Sequence, residues 1–346
     1  MTGAPADDDR DAYVIAVDGG ASKTVLTIVR ADGAVLATAR GAGSNQHHVG
    51  VAGTVAVIAD VYATAMADLR TARPAQHAVY VLAGADTPEE ERTLADALRA
   101  LGWSNDCTVR NDTYAVLRAG TDRGWGVAVV CGAGINAVGV APDGREARYP
   151  ALGPLSGDWG GGLELGQAAV GAANRAGDGR GAATTLAESV PAHFGMRLPS
   201  DVALAFHRKQ LDEMRIAELA PLVLAASGDG DIVARSLVDR LAREVLDLVV
   251  ASLRRLSLLD TEVDVVLGGG LMQGGNAHLD DTLDRAITAA APHARVIRPH
   301  APPIAGAVLL ALDHIGQTGV SDVVRAAFAS AGAGVAPVAA RGGFDG

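Results

Sequence analysis

The sequence predicts an α/β protein of two similar domains, each a sheet flanked by helices. Three observations carry that prediction. A pattern of strand, glycine-rich turn, strand, Asp-Gly turn and strand occurs twice, beginning at Tyr13 and again at Trp125. Each copy is followed by alternating helical and strand-like segments. Apolar residues make up 49% of the 346 residues and aromatics only 3%. The core must therefore be packed from Ala, Val, Leu and Ile, which suits closely stacked layers, and the length is enough for two domains.

In the first copy Val14 to Val17 is an apolar run that reads as a strand buried on both faces. Asp18-Gly19-Gly20-Ala21 is a turn, Thr24 to Val29 a second strand, Asp32-Gly33 a second turn and Ala34 to Ala39 a third strand. Asp-Gly between β-rich segments is a hairpin signal. In the second copy Val127 to Val130 is the first strand and Cys131-Gly132-Ala133-Gly134 the turn. Ile135 to Val140, Asp143-Gly144 and Glu146 to Ala151 complete it. Asp18 thus falls opposite Cys131, and Asp32 opposite Asp143.

Thr54 to Thr71 reads as a helix with Val, Ile, Met and Leu on one face, and Ala78 to Ala83 as a strand. Thr87-Pro88-Glu89-Glu90 opens a helix, with Thr87 as N-cap, Pro88 in the first turn and Glu90 as the capping-box acid. Cys107 to Arg110 is a strand ending at Asn111-Asp112, before a helix over Thr113–Ala119. Gly160 to Ala176 and Ile232 to Leu256 read as helices. Val263 to Leu267 is a strand ending in Gly268-Gly269-Gly270, and Pro302 to Leu312 a closing helix. From Ser321 the composition turns to Ala, Gly and Pro, so a loose tail is expected over 321–346, and a disordered acidic leader over 1–12. The domains are expected at 13–115 with about 301–320, and at 116–300.

Composition also excludes. The formal charge of −11, with no basic cluster, argues against nucleic acid. Cys107 and Cys131 are the only cysteines, too few for a disulfide framework, and no CxxC offers a zinc site. No apolar run is expected to cross a membrane, and the N-terminus has no basic region followed by an apolar stretch. A cytoplasmic protein is the expectation.

Glycine-rich turns between strands gather backbone N–H groups into one space, and such nests bind anions, phosphates above all. A tight hairpin with no ligand is the plain alternative. Two such turns at equivalent places in a duplicated fold favour the nest. Ser22-Lys23-Thr24 leads into a strand, so it is no Walker A loop, and with no helix following there is no dinucleotide fingerprint.

Five segments then appear in order: "AVDGGASKT", "NDTYA" at 111–115, "CGAGIN" at 131–136, "GDWGGG" at 157–162 and "VVLGGG" at 265–270. Together they resemble the signature segments of the actin-like ATPase and sugar-kinase superfamily. Within it the chain resembles the N-acetylglucosamine kinase and BadF/BadG/BcrA/BcrD ATPase group, over roughly Val14 to Leu312. Small departures suggest the actinobacterial-type glucosamine kinase branch. The resemblance implies an actin/hexokinase-like (ribonuclease H-like) fold: duplicated domains, mixed five-stranded sheets flanked by helices, and an interdomain cleft. It also implies ATP and Mg²⁺ as cofactors, a small-molecule sugar acceptor, and a homodimer.

Phosphoryl transfer needs phosphate cradling, a metal, and a group that takes the acceptor's proton. A carboxylate beside a phosphate nest is repulsive unless Mg²⁺ lies between them, so Asp18 is assigned to the metal. Gly20, Ser22, Lys23 and Thr24 are expected at the β- and γ-phosphates, and Gly132, Gly134 and Asn136 at the second phosphate turn. Ala133 and Ile135 stand where many relatives carry Thr and Ser. Gly269 and Gly270 are expected against the adenosine. Asp112 stands where these kinases carry their catalytic base; capping its helix is the plain alternative.

Asn45, Gly84, Asn111, Asp112, Asp158 and Trp159 are the expected sugar contacts. His47 and His48 read as a polar loop. "GDWGGG" departs from the GDEGS common in N-acetylglucosamine kinases, keeping Asp158 but placing Trp159 at the acid. A carboxylate favours a sugar ammonium, which tilts the reading to free glucosamine, phosphorylated at its 6-hydroxyl. The alternatives are an N-acetylglucosamine kinase and a non-catalytic sugar-sensing actin relative. An iron–sulfur activator of 2-hydroxyacyl-CoA dehydratases is disfavoured by the placement of both cysteines. ROK glucokinases or repressors are disfavoured by the missing zinc motif and helix-turn-helix extension.

Overall fold

A computed structural model describes residues 12–67, 69 and 73–330. They divide into two compact units, one reaching Gly124 and resuming at Pro299, the other Trp125–Arg298. The first holds β1 (Tyr13–Gly19), β2 (Thr24–Arg30), β3 (Val35–Gly41), α1 (Gln46–Met66), β4 (His77–Leu82), α2 (Pro88–Arg99), β5 (Cys107–Arg110) and α3 (Thr113–Gly120). The second holds β6 (Gly126–Cys131), β7 (Ile135–Val140), β8 (Glu146–Arg148), α4 (Gly161–Gly177), α5 (Leu186–His193), α6 (Pro199–His207), α7 (Ala220–Gly228), α8 (Ile232–Leu256), β9 (Val263–Gly268), α9 (Ala277–Ala290) and β10 (Ala294–Ile297). The chain then returns to the first unit with α10 (Pro303–His314) and α11 (Ser321–Ser330).

The duplication is present in the sheets. Their strand orders are β3-β2-β1-β4-β5 and β8-β7-β6-β9-β10. In each, the three meander strands are antiparallel and the last two run parallel to the first. Alternation along β1 shows why both faces are apolar. Ile15 and Val17 pack with Ile58 and Val61 of α1 on one face, and Val14 and Ala16 pack with Val308 and Leu312 of α10 on the other. In the second unit α8 buries Val238, Leu241, Val245 and Val249 along one stripe, at helical spacing, in the core that holds β6 and β9.

Several expectations are corrected. The helix read from Thr54 starts at Gln46 and is broken at Gly50, where φ is +70°. By length and composition alone it meets the standard of a membrane span, against the expectation for this chain. Thr54, Ile58, Val61 and Ala65 nonetheless form a buried stripe at three- and four-residue spacing, and the last three join the core under the sheet. The last meander strand stops at Arg148, before Pro150, which cannot donate to a ladder. Residues 116–124 fall in the first unit because α3 runs on to Gly120 and packs on α10.

The stretch read as the start of a loose tail forms α11 through Ser330. Val324 and Phe328 are buried against α10, and Arg325 pairs with Asp122 at 2.8 Å. The rest of that tail, and the leader up to residue 11, lie outside the described residues. Ala12 is buried, and its carbonyl accepts from the Ala31 N–H at 2.9 Å.

Candidate functional site

In the first unit, three parallel strands deliver their carboxyl ends side by side. β1 ends in Asp18-Gly19, β4 runs into Ala83-Gly84, and β5 runs into Asn111-Asp112. Ligands of open α/β sheets bind at such ends. Asp18 and Asp112 are half-buried and interact. Burial first, and then the Asp112 charge, push Asp18 up to about 7, with Lys23 partly offsetting them. Burial raises Asp112 to about 6, partly offset by the backbone N–H groups of Thr113 and of Asp112 itself. Neighbouring carboxylates held this way are poised for proton transfer or for a hard cation.

Asp112 is the residue before α3, yet its side chain makes no capping bond. Asn111 does that work instead. Its Oδ1 accepts from Thr113 N at 3.0 Å and Thr113 Oγ1 at 2.6 Å, and its Nδ2 donates to Asp86 Oδ1 at 2.8 Å. Asn111 was expected at the sugar; it is 4% exposed and engaged at both ends. Asn45 caps α1, its Oδ1 accepting from His47 N at 2.9 Å. Gln46 Nε2 donates to the Gly84 carbonyl. His47 Nε2 meets Glu90 Oε1 at 2.8 Å, tying the start of α1 to α2; this side chain was read as a plain polar loop.

The turn between β1 and β2 is less open than expected. Thr24 is fully buried, and its Oγ1 donates to Ser44 Oγ at 2.8 Å, turned away from any phosphate. The reason is the strand period: with Leu26 and Ile28 it points inward. The Gly20 N–H closes the turn on the Lys23 carbonyl at 2.8 Å. Ser22 and Lys23 are exposed.

The second unit carries the other glycine turn. The Gly132 N–H closes it on the Gly134 carbonyl at 2.9 Å. The first N–H groups of α4 dock onto it, Gly162 N to Gly132 O at 2.8 Å and Leu163 N to Ala133 O at 2.9 Å. Gly161 and Gly269 wedge against this turn at φ +81° and +91°. A Cβ on Gly269 would lie 2.3 Å from the Cys131 carbonyl oxygen, and one on Gly161 would lie 2.5 Å from Gly134 backbone atoms. By contrast, Cβ positions on Gly132, Gly134 and Gly270 open onto free space, room for a ligand against bare backbone. Asn136 pairs with Val130 across the hairpin, and its Oδ1 accepts from Ala137 N at 2.7 Å.

Asp158 is half-buried and accepts from Ser156 Oγ. Trp159 packs on the core of this unit, with the Arg240 guanidinium 3.9 Å from its ring centroid, so one face is already covered. Sequence reasoning missed Glu164, in the first turn of α4. Burial, and then the Asp158 charge, raise its carboxyl, and its Oε2 is buried without a hydrogen-bond partner. An acid two residues after three glycines at a helix start was the available signal. It missed Asp86 too, whose position beside Asn111 is set by the pairing of β4 with β5.

The profile of the BadF/BadG/BcrA/BcrD ATPase family matches residues 15–311. The chain belongs to that family. Among relatives, the N-acetylmuramic acid/N-acetylglucosamine kinase of Clostridium acetobutylicum is 28% identical over 300 residues, which cover 86% of this chain and 98% of the relative. A solved structure from Chromobacterium violaceum, provisionally named an N-acetylglucosamine kinase, superimposes with a TM-score of 0.68 at 28% identity, covering 86% and 98% of the two chains. A ROK family glucokinase from Streptomyces griseus, solved with glucose and AMPPNP, gives 0.54 at 18% identity, covering 87% and 100%. This BadF/BadG/BcrA/BcrD family member therefore has the actin/hexokinase-like fold, as the signature segments led one to expect.

Members of an ATPase family of this fold imply a divalent ion, and the residues present fit one. Asp18 and Asp112 are hard oxygen donors, and the Asp112 charge raises the proton affinity of Asp18, the donor chemistry Mg²⁺ takes together with water and phosphate oxygens. The dehydratase-activator reading fares poorly. Cys131 is fully buried with its thiol pushed up to about 12, and Cys107 is buried as well, so neither is an accessible thiolate for a cluster.

Proposed function

We propose that this protein is an ATP-dependent amino-sugar kinase that phosphorylates the 6-hydroxyl of its acceptor. The observation that carries the reading is Asp112: a half-buried carboxyl at the end of β5, raised to about 6 and not used in capping its helix. A base with that affinity is mostly ionised at neutral pH yet basic enough to accept a hydroxyl proton. In the proposed step Asp112 takes the proton of the 6-hydroxyl as that oxygen bonds to the γ-phosphorus, and ADP leaves with the electron pair of the broken P–O bond. Asp18 would hold Mg²⁺, which when bound supplies positive charge against the phosphates. Within the second unit, the open backbone at Gly132, Gly134 and Gly270 would accept the nucleotide.

For the acceptor we put N-acetylglucosamine first, because the relatives at 28% identity carry that name. Free glucosamine is the second reading. It is favoured by the Asp158 and Glu164 carboxylates, which suit a 2-ammonium group. Asn45 and Gly84 would line the sugar site. A cytoplasmic, homodimeric enzyme goes with this reading.

An ADP-release assay with MgATP against N-acetylglucosamine, glucosamine and glucose tests it, run beside Asp112→Asn. Acceptor-dependent turnover that falls about 10²–10⁴-fold in the variant supports the reading. Turnover absent with all three sugars would leave a sensor. Turnover surviving in Asp112→Asn removes the base.

A further inference from the structure

We propose that Asp86 is a positioning residue for Asp112, acting through Asn111; the catalytic half of this inference rests on the kinase reading above. Asp86 and Asn111 are 9% and 4% exposed, so their bond has little competition from water. Asn111 Nδ2 donates to Asp86 Oδ1 at 2.8 Å, and Asn111 Oδ1 takes both the N–H and the hydroxyl of Thr113. The link has a direction built into its chemistry. An asparagine amide is nearly symmetric in shape but not in hydrogen bonding: one end donates and the other accepts. A carboxylate oxygen facing an amide N–H accepts from it. Asp86 therefore selects the donor end of the Asn111 amide and forces the acceptor end onto the start of α3. Asp112 lies between Asn111 and Thr113 in the chain, so the amide's orientation fixes the backbone on both sides of it.

Asp86 is held in its turn. Glu90 Oε2 accepts from Asp86 N at 3.1 Å, Thr87 N at 2.8 Å and Thr87 Oγ1 at 2.9 Å, while Glu90 Oε1 meets His47 at the start of α1. The capping box of α2 thereby does more than stop a helix from fraying. It anchors the backbone of Asp86, which orients Asn111, which sets the Asp112 turn.

The experiment compares Asp86→Ala, Asp86→Asn, Asn111→Ala and the double variant Asp86→Ala/Asn111→Ala with the full-length protein. It reads two things. Amide hydrogen exchange at Thr113 to Val116 needs no substrate and is expected to quicken in Asp86→Ala. In Asp86→Asn, which keeps an acceptor oxygen in place, exchange is expected to stay near the wild-type rate. Turnover is expected to fall about tenfold to a hundredfold in Asp86→Ala, the scale of a misplacement near 1 Å, with both KM values within about twofold. Asp86→Asn should recover most of it. The double variant should be no slower than its slower parent, because both break one link.

Unchanged exchange in Asp86→Ala overturns the proposal. So does a raised acceptor KM at normal kcat, which would put Asp86 on the sugar itself, and so does an additive double variant. Should Asp86→Ala not fold, Asp86→Ser removes the same oxygen position and is held to the same outcomes. If wild-type protein phosphorylates no sugar while α3 exchange still responds, the kinase reading fails and the Asp86–Asn111–α3 link stands.

Discussion

Asp18 and Asp112 show how a residue's neighbours set its chemistry. Both are aspartates at strand ends, and burial raises both well above the ordinary carboxylate value. For Asp18 the consequence for stability follows directly. Its folded value of about 7 exceeds its unfolded value of 3.8, so the folded protein holds a proton that the unfolded chain has lost. That contribution is fully present below about pH 3.8 and disappears as pH rises through 7. Asp18→Asn should therefore raise the Tm in metal-free buffer at pH 8 and leave it unchanged near pH 3.5, as differential scanning calorimetry would show. For Asp112 the same rise puts the acid limb of kcat/KM near pH 6, with activity lost below it as the base becomes protonated; a pH–rate profile checks this. Cys131 is the contrasting case. Its thiol, pushed up to about 12 by burial, should resist iodoacetamide at pH 8 in the native protein and react only on unfolding. The sequence marked all three residues. It did not tell which of Asn111 and Asp112 caps α3, because both can cap, and only the register of β4 against β5 brings Asp86 to the Asn111 amide.

At the scale of elements, α3, α10 and α11 are held by charge as well as apolar contact. Arg118, with a side chain 9% exposed, donates to Asp313 at 2.7 Å and to Asp122 at 3.1 Å, and Asp122 also receives Arg325 of α11. Removing one partner of a buried pair leaves a charge short of solvation. Because Asp313 is 35% exposed and Arg118 keeps Asp122, Asp313→Ala should cost about 1–2 kcal/mol in urea unfolding, still more than loss of a typical exposed pair. α11 escaped sequence reading because Ala and Ser dilute its buried stripe to two large apolar residues, Val324 and Phe328. Intrinsic preference is weak there, and packing on α10 supplies the rest. The same logic explains Thr24. Its place in "SKT" resembles a phosphate contact, but period-two alternation turns it to the core. The capping box at Thr87–Glu90 and the full length of α8 were legible because they depend on neighbours along the chain.

Across the whole molecule, the same five-strand order occurs in both units. Each unit brings one glycine turn, but the chemistry is unequal. The interacting carboxylates belong to the first unit, and the open backbone at Gly132, Gly134 and Gly270 to the second. A nucleotide that binds only the folded protein must stabilise it. At a hundredfold excess over Kd, MgATP should add about 2.7 kcal/mol, visible as a rise in Tm. A Tm indifferent to MgATP would remove the nucleotide from the proposed function.

The sequence by itself determined the duplicated meanders, the strands that end at Asp18 and Asp112, and membership of the BadF/BadG/BcrA/BcrD ATPase family. These features rest on short-range patterns: apolar period, glycine and Asp-Gly turns, and motif order. Only the tertiary structure decided that Thr24 faces the core, that Asn111 rather than Asp112 caps α3, that Trp159 lies under Arg240, and that Glu164 keeps a buried oxygen without a partner. Those outcomes depend on residues brought together across strands and helices. Burial and hydrogen-bond pairing are properties of that assembled neighbourhood, and no local stretch of sequence carries them.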